Sequence, residues 1–284
     1  MTLSNCRILV TGANGFIGKN LVVRLSELAN VTVSTFVRGN DSAQLAQLVS
    51  EADAVVHLAG ENRPADEAAF SQVNAGLTSA LCDAIQQACT TTGRHIPLLL
   101  VSSTQAERNN PYGRSKLAAE QAVYALARNT GNPCVVFRLP GVFGKWCRPN
   151  YNSVVATFCH NLARDLPIQI NDPDVSVRLV YIDDVINALL NVLEAPRPGS
   201  TQAAVEPEYA ITLGELAAQI RAFADCRSTL MSERVGTGLL RALYATIPGW
   251  SHDITNVGDD EMVVILWANE SFDRQKPDTV ASKV

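Results

Sequence analysis

The first 225 residues alternate between two kinds of segment, and that alternation leaves few folds open. "CRILVTG" is a compact apolar run, rich in β-branched residues and closed by Gly12; it reads as a strand buried on both faces. "FIGKNLVVRLSEL" follows, with Ile17, Leu21, Val22, Leu25 and Leu28 at helical spacing. The exchange recurs, with strands over 31–37, 52–60, 96–103 and 133–141 and helices over 67–89 and 112–129. In the first of those helices Phe70, Val73, Leu77, Leu81 and Ile85 share a face. Strands separated by helices of this length predict βαβ units, hence a doubly wound parallel α/β sheet covered on both faces. Beyond about residue 145 the rhythm loosens. A helix is expected over 152–164, a strand over 176–182, a helix over 183–195 with an aspartate cap, a loop over 195–202, and a helix over 212–224. The last opens with a capping box, Thr212 to Glu215.

A chain of 284 residues suits one large domain, or one large and one small. With 47% apolar and 18% charged residues it can bury a sizeable core, which excludes wholesale disorder. The net charge is −5 and basic residues form no runs, so neither nucleic acid nor an anionic membrane is an expected partner. The N-terminus runs straight into a strand, with no signal peptide, and the apolar run 262–268 is too short to span a bilayer. The seven cysteines are scattered without a C-x-x-C pair and read as reduced, mostly buried thiols. The expected compartment is the cytoplasm.

Two stretches carry chemistry. "VTGANGFIGKN" sets Gly12, Gly15 and Gly18 in a G-x-x-G-x-x-G spacing at the first strand-to-helix junction. Small residues there let the backbone approach a pyrophosphate, and the helix N-terminus offers unpaired N–H groups and a positive dipole end. In that position the motif predicts dinucleotide binding. The second strand ends "STFVRGN", with no carboxylate before Asp41. Arg38 at its tip suits a 2′-phosphate, so NADP(H) is favoured over NAD, the alternative being a solvated surface arginine.

"VSSTQAERNNPYGRSK" is the second stretch. Tyr112 and Lys116 are four residues apart on a helix and share a face. The ammonium is expected to lower the phenol's pKa, so that it trades a proton with a carbinol near neutral pH. Ser102 and Ser103 end the preceding strand, where a hydroxyl can meet the same substrate oxygen.

With these motifs the chain resembles an extended short-chain dehydrogenase/reductase acting on nucleotide sugars, over about residues 6–225. The likeness rests on TGxxGxxG, "HLAG" (57–60), "YGRSK", "RLPGVFG" (138–144) and "VRLVYIDDV" (177–185). It implies Tyr112 as acid/base and Lys116 as the residue that fixes the nicotinamide ribose. Ser103 corresponds best to the catalytic Ser/Thr, with Ser102 and Thr104 as adjacent alternatives. It further implies a cofactor contact surface of Gly12, Gly15, Phe16, Ile17, Gly18, Arg38, Leu58, Ala59, Gly60, Tyr112, Lys116 and Pro140. Asn62, Arg63 and Arg178 are implied on the substrate side, Arg178 toward a diphosphate or else as a structural surface arginine. Two departures stand out. Related 4,6-dehydratases carry Asp-Glu after the catalytic Ser/Thr, where this chain has Thr104 and Gln105, which disfavours dehydration. The segment between the second strand and "ADAVVHLAG" is also short, so the family's usual third strand is shortened or lost.

"GENRP", "NNPYGRSK", "FGKWCRPNYNSVVATFC" and "NVGDDEMVVILWANESFDRQKPDT" resemble the bifunctional capsular-polysaccharide enzymes of UDP-N-acetyl-L-fucosamine biosynthesis, which join such a reductase to a C-terminal zinc cupin. That likeness implies NADPH-dependent reduction of the C4 ketone of a UDP-2-acetamido-2,6-dideoxy-hexos-4-ulose, giving the L-talose product, with a homodimer as a plausible assembly. "PGWSHDITN" then resembles the second cupin motif, with His252 as a zinc ligand. The first motif, His-x-His followed by Glu, is absent from the sequence, so zinc is not expected. The expected organisation is a reductase over 1–228 with substrate-binding segments at about 145–175 and 196–228, a helical connector over 229–247, and a cupin remnant over 248–284. Two alternatives remain: a nucleotide-sugar 4-epimerase that retains NAD, which Arg38 disfavours, and a non-catalytic NADP-binding sensor or scaffold, which Tyr112 and Lys116 disfavour.

Overall fold

The computed structural model describes residues 3, 5–62, 70–229 and 235–247. In chain order the elements are β1 (Cys6–Thr11), α1 (Phe16–Ser26), β2 (Val31–Phe36), α2 (Ser42–Glu51), β3 (Ala54–His57), α3 (Leu77–Thr92), β4 (Leu98–Ser103), α4 (Pro111–Thr130), β5 (Cys134–Leu139), β6 (Gly141–Phe143), α5 (Val154–Leu162), β7 (Ser176–Tyr181), α6 (Ile182–Glu194), β8 (Ser200–Ala203), β9 (Glu208–Thr212), α7 (Leu213–Thr229) and α8 (Leu239–Thr246). A π-helical stretch, Phe70–Gly76, leads into α3, and a 3-10 turn, Thr104–Glu107, follows β4.

Six strands form a parallel sheet in the order β2-β1-β3-β4-β5-β8. Side chains alternate across it with the period that a pleated strand imposes. On β1, Ile8 and Val10 enter one core and Leu9 the other; β5 repeats this with Val135 and Phe137 against Cys134 and Val136. The first core is closed by α1 and α6 through Leu21, Leu25, Val185 and Leu189. The second is closed by α2, α3 and α4 through Leu45, Val49, Leu81, Ile85 and Val123. Because both faces are covered, the strands read as continuous apolar runs rather than as alternating ones.

Between β2 and β3 the chain forms α2, a helix the sequence pattern did not announce. Its start is a reciprocal capping box: Gln44 N–H donates to Asp41 Oδ1 at 2.8 Å and Asp41 N–H to Gln44 Oε1 at 2.9 Å. Among the described residues no strand lies outside β2, in keeping with the shortened segment.

A second, three-stranded sheet pairs β6 parallel with β7 and β7 antiparallel with β9. Its core gathers Phe143, Phe158, Leu216, Ile220 and Leu243, with α5, α7 and α8 packed on it. Here the structure differs from expectation. The strand expected over 133–141 is two strands, parted at Pro140, which has no N–H to give to a ladder. The expected loop over 195–202 contains β8, which adds to the large sheet beside β5. Tyr181, not an aspartate, is the N-cap of α6; Asp183 and Asp184 lie in its first turn, where they complement the helix dipole. Of the helix expected from residue 67, the described part begins π-helical, over Phe70–Gly76, and in the described part of the connector the helix is Leu239–Thr246. The Thr212–Glu215 capping box forms as expected, with Glu215 N–H donating to Thr212 Oγ1 at 3.2 Å and Thr212 N–H to Glu215 Oε2 at 3.0 Å. All seven cysteines are free thiols. No helix among the described residues is long and apolar enough to cross a membrane. The expected cupin-like tail over 248–284 with His252, and Arg63, lie outside the described residues.

Candidate active site

The chain leaves β1 for β2 on one side and returns to β3 on the other, so a crevice opens at the C-terminal ends of β1 and β3. Gly12 starts the turn there with φ +70°, a left-handed conformation that side chains disfavour. A Cβ at Gly12 would stand 2.6 Å from the backbone nitrogen of Ala59, and one at Gly18 2.2 Å from the Gly12 carbonyl oxygen. Gly15 N–H closes the turn on Gly12 O at 2.9 Å and is the N-cap of α1, with no side-chain cap and no acidic residue in the first turn. Phe16 and Ile17 begin that turn. The cradle therefore fits the pyrophosphate of a dinucleotide: its glycines leave room for close backbone approach, and no side chain caps the first turn of α1.

Leu58, Ala59 and Gly60 form the opposite wall. Leu58 N–H donates to Thr11 O at 3.2 Å and Ala59 N–H to Thr11 Oγ1 at 3.2 Å. Beneath them the buried His57 lies between Thr11 Oγ1 (2.6 Å from Nδ1) and Thr78 Oγ1 (2.9 Å from Nε2). The Thr78 hydroxyl already donates to Asn74 O at 2.6 Å, so it accepts from His57. That assigns the proton to Nε2 and makes Nδ1 the acceptor of the Thr11 hydroxyl. Burial, reinforced by the Lys116 charge, pushes the imidazole down to about 3, so it is neutral. Asn74 brackets Glu61, taking its N–H at 2.8 Å and donating to its carbonyl at 3.1 Å, and donates to Ser115 Oγ at 3.0 Å. Arg38, beyond the end of β2, is 90% exposed and donates to Glu61 Oε2 at 2.6 Å.

Tyr112 sits in the first turn of α4. Asn110 caps that helix by accepting from Gly113 N–H at 2.7 Å, and Pro111 opens it. A Cβ at Gly113 would lie 2.3 Å from both the Arg108 and Gln105 carbonyl oxygens, so the 3-10 turn after β4 rests directly on the start of α4. That contact brings Ser103, at the end of β4, close enough to Tyr112 for its hydroxyl to pull the phenol's pKa down. Ser102, one residue earlier, is turned away by the pleat and buried, where it donates to Glu120 at 2.6 Å. Ser103 accepts from Gln105 N–H at 3.2 Å and is the adjacent hydroxyl that influences the Tyr112 pKa, and Thr104 begins the 3-10 turn.

The electrostatics correct one expectation. Burial pushes the Tyr112 phenol above its ordinary pKa, and the opposing influence is the Ser103 hydroxyl, not Lys116. The Lys116 ammonium is 5.8 Å from the Tyr112 ring centroid, and removing the phenolate from water outweighs its attraction. Lys116 itself is held down to about 8 by burial, against the raising influence of Glu120. Near neutral pH the site therefore presents a protonated phenol beside an ammonium.

The sequence reading missed Glu120 and Tyr151. Glu120 is fully buried and accepts from Ser102 and from Arg138, whose Nη2 lies 2.6 Å from Oε2 and whose Nη1 reaches Glu107 at 2.9 Å. Its signal was present: residues 112, 116 and 120 repeat every helical turn on one face. Tyr151, between β6 and α5, adds to the rise in the Tyr112 pKa, and its hydroxyl stands 3.5 Å from Glu61 Oε1. Nothing in the sequence singles it out.

Arg178 on β7 pairs through both Nε and Nη2 with Glu208 of β9, the latter contact at 2.8 Å, and remains exposed. Pro140 is the one residue between β5 and β6, and Asn62 is exposed just past Glu61. Among the described residues no group of three or more His, Cys, Asp or Glu could hold a metal ion.

Residues 8–206 match the NAD dependent epimerase/dehydratase family, and residues 210–280 the polysaccharide biosynthesis C-terminal domain. The chain is 38% identical over 371 aligned positions to a Pseudomonas aeruginosa protein, UDP-2-acetamido-2,6-beta-L-arabino-hexul-4-ose reductase, covering 98% of this chain and 99% of that one. As 371 exceeds the 284 residues here by 87, at least that many positions of the alignment are gaps in this chain. The capsular polysaccharide assembling protein CapF from Staphylococcus aureus has a TM-score of 0.72 at 32% identity over 86% of this chain. This chain spans 64% of that structure, less than two thirds of its length. WbmF from Bordetella bronchiseptica, solved with NAD+, shares the fold with a TM-score of 0.71 at 21% identity, over 86% of this chain and 92% of that one. The match across residues 8–206 and the identity across nearly the whole chain are decisive: the chain belongs to the NAD-dependent epimerase/dehydratase family, the extended short-chain dehydrogenase/reductases.

Proposed function

We propose that the chain is an NADPH-dependent reductase of the C4 ketone of a UDP-2-acetamido-2,6-dideoxy-hexos-4-ulose, forming UDP-2-acetamido-2,6-dideoxy-L-talose for capsular or O-antigen polysaccharide synthesis. The observation that carries this reading is the Lys116 ammonium 5.8 Å from the Tyr112 ring centroid, one helical turn along α4, beside a phenol that burial keeps protonated. The activity named for the P. aeruginosa relative supports the choice of substrate.

Bound NADPH supplies a hydride to the carbonyl carbon and leaves as NADP+. The remaining work falls to this chain. The Gly12–Gly18 turn and the first turn of α1 hold the pyrophosphate. Ser103 donates a hydrogen bond to the substrate oxygen, and Tyr112 gives that oxygen its proton as negative charge grows there. Lys116 binds the nicotinamide ribose and steadies the phenolate that remains. Arg178 meets the sugar nucleotide's diphosphate, with Asn62 and Arg63 on the sugar side. Residues 248–284 are then a cupin remnant joined through a connector over 229–247; the separate family match over residues 210–280 supports a distinct C-terminal unit, though it begins ahead of that connector.

The test supplies the 4-keto UDP-sugar, already epimerised at C3 by a separate source, and follows NADPH oxidation. The expected result is turnover that Tyr112→Phe lowers by at least about 100-fold, the low end for loss of a general acid, while NADPH still binds. A wild-type protein that binds NADPH but leaves this ketone untouched would overturn the substrate assignment.

A further inference from the structure

We propose that Glu61 sets the dinucleotide preference of this site by competing with a 2′-phosphate for Arg38. The inference rests on the dinucleotide-binding reading above and adds a residue that opposes the cofactor's extra phosphate.

The topology puts the pair where it matters. β2 and β3 flank β1, Arg38 lies just past β2, and Glu61 lies past β3. Their ion pair, at 2.6 Å, therefore bridges the two walls of the crevice in which the glycine turn lies. The partners differ in freedom. Glu61 is only 16% exposed and its backbone is fixed at both N–H and C=O by the buried Asn74. Arg38 is 90% exposed on a long side chain. Glu61 is the anchored partner, and Arg38 the one that moves.

An adenine ribose at the end of β2 presents either a 2′-hydroxyl or a 2′-phosphate. The phosphate must draw Arg38 off Glu61 and then lie near a carboxylate of its own sign. The hydroxyl meets neither obstacle and can donate to Glu61. Arg38 thus favours the phosphate, Glu61 opposes it, and the measured preference is their difference. An ion pair this exposed shifts an equilibrium by up to about fivefold, and removal of like-charge repulsion adds a similar factor.

Calorimetric titration of NADPH and NADH into the intact chain, its Glu61→Gln and Arg38→Gln variants, and the variant carrying both changes tests this without turnover. Glu61→Gln is expected to tighten NADPH by roughly tenfold and to change NADH by less than about twofold. On the Arg38→Gln background the NADPH gain should shrink to about threefold or less, because only the repulsion remains to be relieved. Equal shifts for both dinucleotides, or none, overturn the role of Glu61 and leave the reductase reading standing. Wild type that binds neither dinucleotide overturns both.

Discussion

Glu120 offers the most demanding test of the site's floor. The perturbation is Glu120→Gln, which keeps the shape and removes the charge. In the native chain this carboxylate is fully buried and accepts from Ser102 and from two nitrogens of Arg138. Removing one partner of a buried pair costs about 3–5 kcal/mol, because the other charge stays behind. Arg138 is 18% exposed and keeps Glu107, so the low end, about 3 kcal/mol, is expected. For a domain of this size that corresponds to a fall in Tm of roughly 6–12 °C. Replacing both Glu120 and Arg138 with Met should recover most of the loss, since no charge is then stranded. A second readout follows from Lys116, whose pKa Glu120 raises against burial. In Glu120→Gln the Lys116 ammonium titrates below its present value of about 8, so the alkaline limb of the activity profile moves to lower pH. Urea and thermal unfolding measure the first effect, and turnover against pH the second. A loss below about 1 kcal/mol, or a double variant no more stable than the single one, would refute the buried-pair account.

Two further outcomes follow from the packing. Gly113→Ala places a Cβ 2.3 Å from two carbonyl oxygens, so the 3-10 turn must move off α4 and carry Ser103 from Tyr112. A stability loss of about 1–3 kcal/mol, with a turnover loss larger than the loss in NADPH affinity, is expected from unfolding curves and single-turnover kinetics. His57 has a folded pKa of about 3 against an ordinary 6.5, so below 6.5 the unfolded chain binds the proton that the folded chain refuses. Stability therefore drops as pH falls from 6.5 toward 3, by on the order of 5 kcal/mol over the full window, and His57→Gln should lose that slope in urea titrations between pH 6.5 and 5.

The large sheet was legible because its strands are buried on both faces: "RILV", "AVVH" and "LLLV" can hide that much apolar surface only as central strands between helices. The glycine turn and the Tyr112–Lys116 face were legible for a related reason, since each is a local spacing that only one backbone conformation satisfies. What escaped depended on partners distant in sequence. β8 and β9 are short and hold no buried residue, and what makes them strands is the ladder each forms with β5 or β7. The split at Pro140 depends on which sheet offers the next ladder, although the proline itself was in view. The rise in the Tyr112 pKa could not be read from the Lys116 spacing, because the deciding quantity is how completely the fold removes the phenol from water. Ser103 could be separated from Ser102 only once the pleat had turned one toward Tyr112 and the other toward Glu120.

The seams between the two sheets carry a mechanical consequence. One residue separates β5 from β6, and β7 passes into α6 with none between. Val180 of β7 is buried in the large core while its neighbour Leu179 is buried in the small one, so a single strand is clamped from both sides. Such a seam has no slack for a hinge. Its rotation would tear both cores at once, leaving only sliding of packed surfaces and rearrangement of the loops above them. The small sheet therefore behaves as a fixed jaw, and capture of the proposed substrate falls to segments such as the one between β6 and α5. Solution scattering curves with and without ligand should superpose, while hydrogen exchange around Tyr151 slows.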